Sequence, residues 1–150
     1  MSEIAYSAAR IGGLVLIAYI AVCLLVYFRQ ASYVYYPDKN VSLTPAYFKL
    51  VFDDIKLKPR GGDTVAAWFV RAASDKAVLV CHGNGGNMAN RLDLILTFHN
   101  MGFNVLLFDY RGYGDSTGKP GEQGTYDDAK AAWEYLVKEE GFRGRNIAIY

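Results

Sequence analysis

The chain has 150 residues and a formal net charge of +1, and 52 % of its residues are hydrophobic. This length allows one ordinary domain, and the high apolar content with almost no net charge excludes a disordered chain. Beyond residue 30, fourteen positive side chains balance fourteen negative ones, so nucleic-acid binding, which needs excess positive charge, is not expected. Cys23 and Cys81 are too few for a disulfide framework and lack metal-ligand spacing, so the sequence predicts no metal site and no cofactor.

The first predicted element is the apolar segment from Ile11 to Phe28, which contains no charged residue and lies between Arg10 and Arg29. As an α-helix this segment measures roughly 27 Å, close to the hydrocarbon thickness of a bilayer. A core helix of a small domain would keep a polar stripe, and this segment has none. Residues 1–30 are therefore predicted to be a transmembrane anchor whose partner is the lipid bilayer.

A cleaved signal peptide is the competing interpretation of this N-terminus. Signal peptides have an apolar core of about 7–15 residues that ends in a small-x-small cleavage site. The apolar run here is longer and ends in Tyr27 and Phe28, followed by Arg29 and Gln30, which is a poor site for cleavage. We predict an uncleaved single-pass anchor. An aromatic cluster is expected at the membrane surface, formed by Tyr27, Phe28, Tyr33, Tyr35 and Tyr36. The positive charges on its two sides do not decide which way it crosses the membrane.

The rest of the chain predicts a linker over residues 31–45 and one α/β domain over residues 46–150. Alternating and continuous apolar runs predict strands at 48–57, 64–71, 77–81, 104–108 and 147–150. Helical spacing places one helix before Gly102 and a second between Thr125 and Gly141, with Thr125 and Asp128 as its capping box. The predicted order is a hairpin followed by a parallel βαβαβ unit.

In parallel sheets of this kind, ligands bind beyond the carboxyl ends of the strands. Two glycine-rich loops leave strands at that edge, HGNGGN at residues 82–87 and a second loop at 109–124. Amides of the first loop precede a helix, where negative charge is stabilised, and both phosphate binding and oxyanion stabilisation use such amides. A flexible turn would also explain the glycines. Neither nucleotide fingerprint fits, because Met88 replaces the third glycine and no lysine follows, so a nucleotide-binding domain is the weaker interpretation.

Three segments of this sequence resemble the N-terminal half of an α/β-hydrolase: VLVCHGNGGN at 78–87, NVLLFDYRGYGDSTGKP at 104–120 and TYDDAKAAWEYL at 125–136. They are most similar to the branch of membrane-anchored serine hydrolases related to abhydrolase-domain proteins, which includes palmitoyl-protein thioesterases. The resemblance covers about four-fifths of the chain but only about half of a hydrolase domain of roughly 200–250 residues. It implies cleavage of an ester, thioester or related acyl bond through an acyl-enzyme.

The resemblance also implies roles for residues of both loops. It places the amide of Asn84, with Gly85 beside it, in an oxyanion hole, which stabilises the negative charge of a tetrahedral intermediate. His82 and Gly83 would support this loop, and His82 would not be the catalytic base. The second loop is expected to be held by turn geometry and ion pairs at Asp109, Arg111, Gly112 and Gly114. Gly121 stands where the branch usually has serine, which implies a softer loop.

The nucleophile, acid and base implied by the resemblance are not among these 150 residues. The nucleophile belongs to a G-x-S-x-G turn after the strand that begins at Ile147. Ser116 in a glycine-rich loop, Ser74 in a polar turn and His99 late in a helix do not replace them. We therefore expect an N-terminal fragment of a membrane-anchored serine hydrolase that is inactive by itself. The alternative is a naturally short, non-catalytic membrane-tethered binding module.

Overall fold

The computed structural model describes residues 3–150, which divide into one unit that ends at Val34 and a second unit from Tyr35 to Tyr150. The first unit is helix α1 (Glu3–Val34), in which no residue is buried. Among the described residues it is the one helix long and apolar enough to cross a membrane, a property that signal sequences share. It contains the whole predicted span and extends beyond it at both ends.

The second unit contains seven strands and two α-helices. In chain order they are β1 (Tyr36–Pro37), β2 (Asp53–Leu57), β3 (Val65–Val70), β4 (Ala77–Cys81), β5 (Gly85–Gly86), α2 (Leu92–Asn100), β6 (Asn104–Phe108), α3 (Glu122–Glu134) and β7 (Ile147–Ile149). Five strands form one sheet in the order β2-β3-β6-β4-β7. The hairpin β2–β3 is antiparallel, β3 is antiparallel to β6, and β6, β4 and β7 are parallel. The predicted α/β architecture, a hairpin followed by a parallel βαβαβ unit, is confirmed.

The sheet separates two apolar cores because side chains alternate between its faces. Val78, Val80, Val105 and Leu107 point to the face covered by α2, with Ile95 of that helix among them. The opposite face carries Leu79, Leu106 and Phe108, which pack with Ala132 and Leu136 near α3. Strands covered on both faces are continuously apolar, which explains why β4 and β6 were predicted with their observed bounds.

The two parts of the predicted linker, residues 31–45, belong to different units of the structure. Residues 31–34 continue α1, whereas the chain from Tyr35 belongs to the second unit. There β1 pairs in parallel with β5, and a buried Asn87 side chain donates to the carbonyls of Asp38 and Asn40. This part of the predicted linker is therefore hydrogen-bonded to the domain through its main chain.

The first strand of the hairpin begins later than predicted, at Asp53 instead of residue 48. Residues 45–48 form a 3₁₀ turn, which ends at Lys49 in the left-handed region (φ 59°). Phe48, Leu50 and Phe52 nevertheless pack against the α2-side core. The alternating pattern therefore reports the packing of apolar side chains in a segment that precedes the strand.

Helix α3 begins at Glu122, so the predicted capping box at Thr125 is wrong. The Thr125 hydroxyl donates within the helix to the Glu122 carbonyl, and the Asp128 carboxylate is fully buried. It accepts from the main-chain N–H of Arg111 at 2.8 Å and from Arg111 Nη2 at 2.7 Å. Asp128 is thus the partner of an arginine in the second glycine-rich loop, and the predicted ion pairing of Arg111 is present.

The helix after the first loop has a capped start and the predicted end. A 3₁₀ turn (Met88–Arg91) precedes α2, and Asn87 caps it by accepting from the N–H of Ala89 while its own N–H donates to the Asn90 side chain. Gly102 lies in the left-handed region (φ 86°) and donates to the carbonyl of His99. This is the glycine termination that the sequence predicts.

The pair formed by Asp128 and Arg111 leads to a stability prediction. We expect Asp128→Asn to lower the free energy of unfolding by about 3 kcal/mol, because the guanidinium loses a buried ionic partner. Urea unfolding of the purified chain, followed by circular dichroism, measures the change. The neighbouring Asp127→Asn is the control and should stay within about 0.5 kcal/mol of wild type. Equal losses in both variants would contradict the structural role of the pair.

Candidate active site

Two glycine-rich loops meet at the carboxyl ends of β4 and β6. The register pairs Cys81 with Phe108, so His82 and Asp109 are the next residues on neighbouring strands. His82 Nε2 lies 3.1 Å from Asp109 Oδ1, and neither side chain has exposed area. The distance suits an ion pair, but the ring nitrogen is not directed at the oxygen as a hydrogen bond requires. The contact therefore packs the two loops together without a directed bond.

Asp109 also fixes the start of the turn that leads into α2. Its Oδ1 accepts from the N–H of Met88 at 2.7 Å. Its Oδ2 is buried and has no hydrogen-bond partner within residues 3–150, and it lies against Gly114, where an added Cβ would overlap it. The carboxylate is therefore enclosed by both loops and is inaccessible to a ligand.

The His82 ring is held on several sides. Its Nδ1 lies 2.6 Å from the Gly83 carbonyl oxygen, which is a hydrogen bond when this nitrogen carries the proton. The rings of Tyr110 and Tyr113 contact it edge to face, with centroids 5.1 and 5.3 Å away. A buried ring with both nitrogens facing protein atoms supports the loop and is not placed to take a proton from a nucleophile.

The main chain around Asn84 is hydrogen-bonded from outside its own loop. The Asn84 carbonyl accepts from the N–H of Tyr36 at 2.8 Å and from the Tyr113 hydroxyl at 2.7 Å. The N–H of Asp38 donates to the Gly86 carbonyl at 3.0 Å, which continues the pairing of β1 with β5. Strand β1 thus lies directly beside the first glycine-rich loop and is hydrogen-bonded to it.

A small pocket of about 180 Å³ opens at these residues. The first loop contributes His82, Gly83 and Asn84 to its lining; the other lining residues are Tyr35, Tyr110, Tyr113 and Thr125. Gly85, the second residue predicted for the oxyanion hole, does not line it. A wider depression of about 540 Å³ next to Arg143 and Arg145 contains no residue of either loop.

Burial raises the pKa of three side chains at or beside the pocket, those of Tyr113, Tyr110 and Cys81. Burial raises the pKa of the Tyr113 hydroxyl, and burial followed by the neighbouring Cys81 raises the pKa of Tyr110. The pKa of the Cys81 thiol is likewise raised, chiefly by burial. Both tyrosines therefore remain hydrogen-bond donors near neutral pH, and Cys81 is not an activated thiolate.

The remaining residues of the second loop have structural contacts. The N–H of Gly112 donates to the Thr117 carbonyl and that of Gly114 to the Asp38 carbonyl. Ser116 is buried, with its Oγ donating to the Asp109 carbonyl and accepting from the N–H of Ala66. Its hydroxyl thus binds the main chain near the start of β3, at Ala66, and is not available as a nucleophile.

Sequence reasoning missed the tyrosines of this site. Tyr35 and Tyr36 were considered only for a membrane surface, and their contacts within the domain were not predicted: Tyr35 lines the pocket, and the main chain of Tyr36 binds the first loop. Tyr113 was not singled out at all. Two-residue strands such as β1 and β5 carry no periodic pattern, so no local signal in the sequence identifies their pairing.

Comparison with known proteins identifies one matching family and several proteins of similar sequence. Residues 72–148 match the family described as serine aminopeptidase, S33. The chain is 34 % identical over 156 aligned residues to the alpha/beta hydrolase domain-containing protein WAV2 of Arabidopsis thaliana, an alignment that covers 98 % of this chain and 50 % of that protein. It is 33 % identical to the uncharacterized protein Rv2307c of Mycobacterium tuberculosis, over 86 % of this chain and 47 % of that protein.

Solved structures agree on the fold. The esterase Pf2001 of Pyrococcus furiosus superposes with a TM-score of 0.67 at 24 % identity, over 76 % of this chain and 47 % of that one. The chain thus spans about half the length of the curated relatives that it matches.

Gly114 supports a prediction about the buried carboxylate. Gly114→Ala should lower the free energy of unfolding by about 2–3 kcal/mol, because a Cβ at φ 43° is strained and would overlap Asp109 Oδ2. Thermal unfolding measures the loss. Gly121→Ala is the matched control, since Gly121 is extended (φ −178°) with nothing within 4 Å of an added Cβ. Its cost should stay below about 1 kcal/mol, and an equal cost would contradict the close fit at Gly114.

Proposed function

Because the chain belongs to the α/β-hydrolase superfamily, we propose that it is the N-terminal part of a membrane-anchored serine hydrolase that cleaves an ester, thioester or related acyl bond. The observation that carries this proposal is the position of Asn84, whose carbonyl is hydrogen-bonded by Tyr36 and Tyr113 and which lines a pocket at the carboxyl edge of the sheet. This is the position at which an α/β-hydrolase needs one half of its oxyanion hole.

The proposed reaction proceeds through an acyl-enzyme. A serine oxygen attacks the substrate carbonyl carbon, and the carbonyl oxygen gains negative charge as the tetrahedral intermediate forms. The N–H of Asn84 donates to that oxygen, and a fixed donor of this kind lowers the barrier by on the order of 3 kcal/mol. The base takes the serine proton and gives it to the alcohol or thiol that leaves as the intermediate collapses. Water then attacks the acyl-enzyme, its proton returns through the base to the serine oxygen, and the carboxylic acid is released. Asn84 is favoured over Gly85 as the donor because Asn84 lines the pocket.

The serine, the acid and the base of this mechanism are proposed to lie outside these 150 residues. Ser116 is occupied by main-chain hydrogen bonds, and His82 is buried against Asp109. His99 belongs to α2, and its Nδ1 is buried without a hydrogen-bond partner in the described part of the chain. His82 and Gly83 support the oxyanion loop, while Asp109, Arg111, Gly112 and Gly114 hold the neighbouring loop.

Helix α1 supports the membrane part of the proposal. None of its residues is buried, and the segment from Ile11 to Phe28 carries no charge. Such a surface is stable in hydrocarbon, where every main-chain group of a helix is bonded internally. We propose that this helix anchors the protein as a single-pass membrane span.

The catalytic proposal predicts a nucleophile in the full-length protein. The coding sequence after residue 150 should encode G-x-S-x-G within a few codons, and a fluorophosphonate probe should label that serine. Full-length protein should hydrolyse p-nitrophenyl acetate, whereas the 150-residue chain should not exceed a denatured control. A coding sequence without the motif in any frame would refute this proposal. A sharp cooperative unfolding transition of monomeric residues 31–150 would then favour the alternative, a non-catalytic membrane-tethered binding module.

The anchor proposal is tested on the same protein. We expect it to remain in the membrane pellet after washing with alkaline carbonate, because a spanning helix is held by its apolar surface and not by charge. Intact mass should show that residues 3–34 are retained. A soluble protein whose chain begins near residue 30 would show that the segment is a cleaved signal peptide.

A further inference from the structure

We infer that Tyr113 is a positioning residue of the oxyanion hole, acting through the carbonyl of Asn84. This inference rests on the proposed hydrolase function. The Tyr113 side chain is fully buried, and its hydroxyl donates to the Asn84 carbonyl at 2.7 Å. Its ring packs against His82, with centroids 5.3 Å apart. Tyr113 lies in the second loop and thus controls the main chain of the first.

The argument starts from the planarity of the two peptide groups on either side of Asn84. In a trans peptide the carbonyl and the N–H point in opposite directions, and no cis peptide bond occurs in the described residues. One peptide group contains the Gly83 carbonyl and the Asn84 N–H. The other contains the Asn84 carbonyl and the Gly85 N–H. A contact that holds either carbonyl therefore also orients the N–H of the same peptide group.

Both carbonyls are held by groups outside the loop's own backbone. His82 Nδ1 holds the Gly83 carbonyl at 2.6 Å, so the Asn84 N–H points away from the imidazole. Tyr113 Oη and the N–H of Tyr36 hold the Asn84 carbonyl at 2.7 and 2.8 Å. The two rotations about the Asn84 Cα, φ and ψ, are thus restricted from both ends.

This restriction matters because Asn84 lies between two glycines, Gly83 and Gly85. Glycine populates more of the φ/ψ map than other residues, so this stretch of loop has little stiffness of its own. An oxyanion donor stabilises the transition state best when it needs no reorganisation during the reaction. The Tyr113 hydroxyl restrains the main chain of Asn84, and the Tyr113 side chain is itself immobilised by burial.

Three segments of the chain together fix the position of the Asn84 main chain. The N–H of Tyr36 binds the Asn84 carbonyl, and the N–H of Gly114 binds the Asp38 carbonyl. Tyr113 immediately precedes Gly114, so the second loop binds both β1 and the first loop. Removing the Tyr113 hydroxyl is therefore expected to loosen the Asn84 peptide groups while the ring and the fold remain.

The test compares two single-hydroxyl deletions in the full-length protein. Tyr113→Phe should lower kcat for p-nitrophenyl acetate about tenfold while KM changes less than about twofold, because orientation of the donor acts mainly in the transition state. The control is Tyr135→Phe, which also loses a short bond, from its hydroxyl to Glu140 Oε1 at 2.6 Å, at residues that do not line the pocket. Its kcat should stay within about twofold of wild type.

The outcomes separate this inference from the proposed function. Wild-type protein without hydrolase activity would overturn the proposed function and the positioning role with it. Active wild-type protein with an unchanged kcat in Tyr113→Phe would overturn the inference alone. So would an equal loss of kcat in both variants, since that pattern reports a general effect of lost stability.

A second measurement uses wild-type protein and does not depend on whether the variant folds. In a crystal structure of the full-length protein bearing a phosphonate on its nucleophile, the phosphonyl oxygen should accept from the Asn84 N–H. The Tyr113 hydroxyl should still donate to the Asn84 carbonyl. An Asn84 carbonyl turned away from Tyr113 in that adduct would refute the positioning role.

Discussion

The buried carboxylate of Asp109 is the group on which the arrangement of the two loops depends. It follows β6 directly, accepts from the N–H of Met88 and lies beside His82 Nε2. A carboxylate without exposed area is stable in the protein only where N–H groups or positive charge face it. The chain therefore has to bring the end of β4, the turn before α2 and the end of β6 to one point. The pocket opens where they meet.

The register of the sheet determines where the ends of β4 and β6 lie relative to each other. Strands β4 and β6 pair from Ala77 with Asn104 to Cys81 with Phe108, so both strands end at the same level. A slip of one residue would turn Val78 and Val80 from the α2 side of the sheet towards the α3 side. Because both faces are packed, such a slip is costly. The burial of ordinary apolar side chains thus places His82 and Asp109 next to each other.

Part of this arrangement is readable from the sequence by physical reasoning. Apart from Cys81, which is partly exposed, the residues at 77–81 and 104–108 are buried, and the strands have the bounds that these runs predict. The start of α3 was misplaced because Asp128 fits a capping pattern, although its carboxylate binds Arg111, seventeen residues earlier in the chain. A local pattern does not contain a partner at that distance. His82 and Asn84 were reached through resemblance, which carried the information that spacing alone did not.

The contacts that order Asn84 were beyond prediction for a related reason. They join β1, the first loop and Tyr113, and each is a single hydrogen bond between segments more than 25 residues apart. Such bonds follow from the finished fold, because both partners are positioned by other elements. Each contributes only about 1 kcal/mol to stability, so its loss leaves a folded protein. The same bond has a larger effect on a reaction when it orients the group that faces the developing charge. The residues that determine the geometry of the proposed site are therefore distinct from those that determine whether the domain folds.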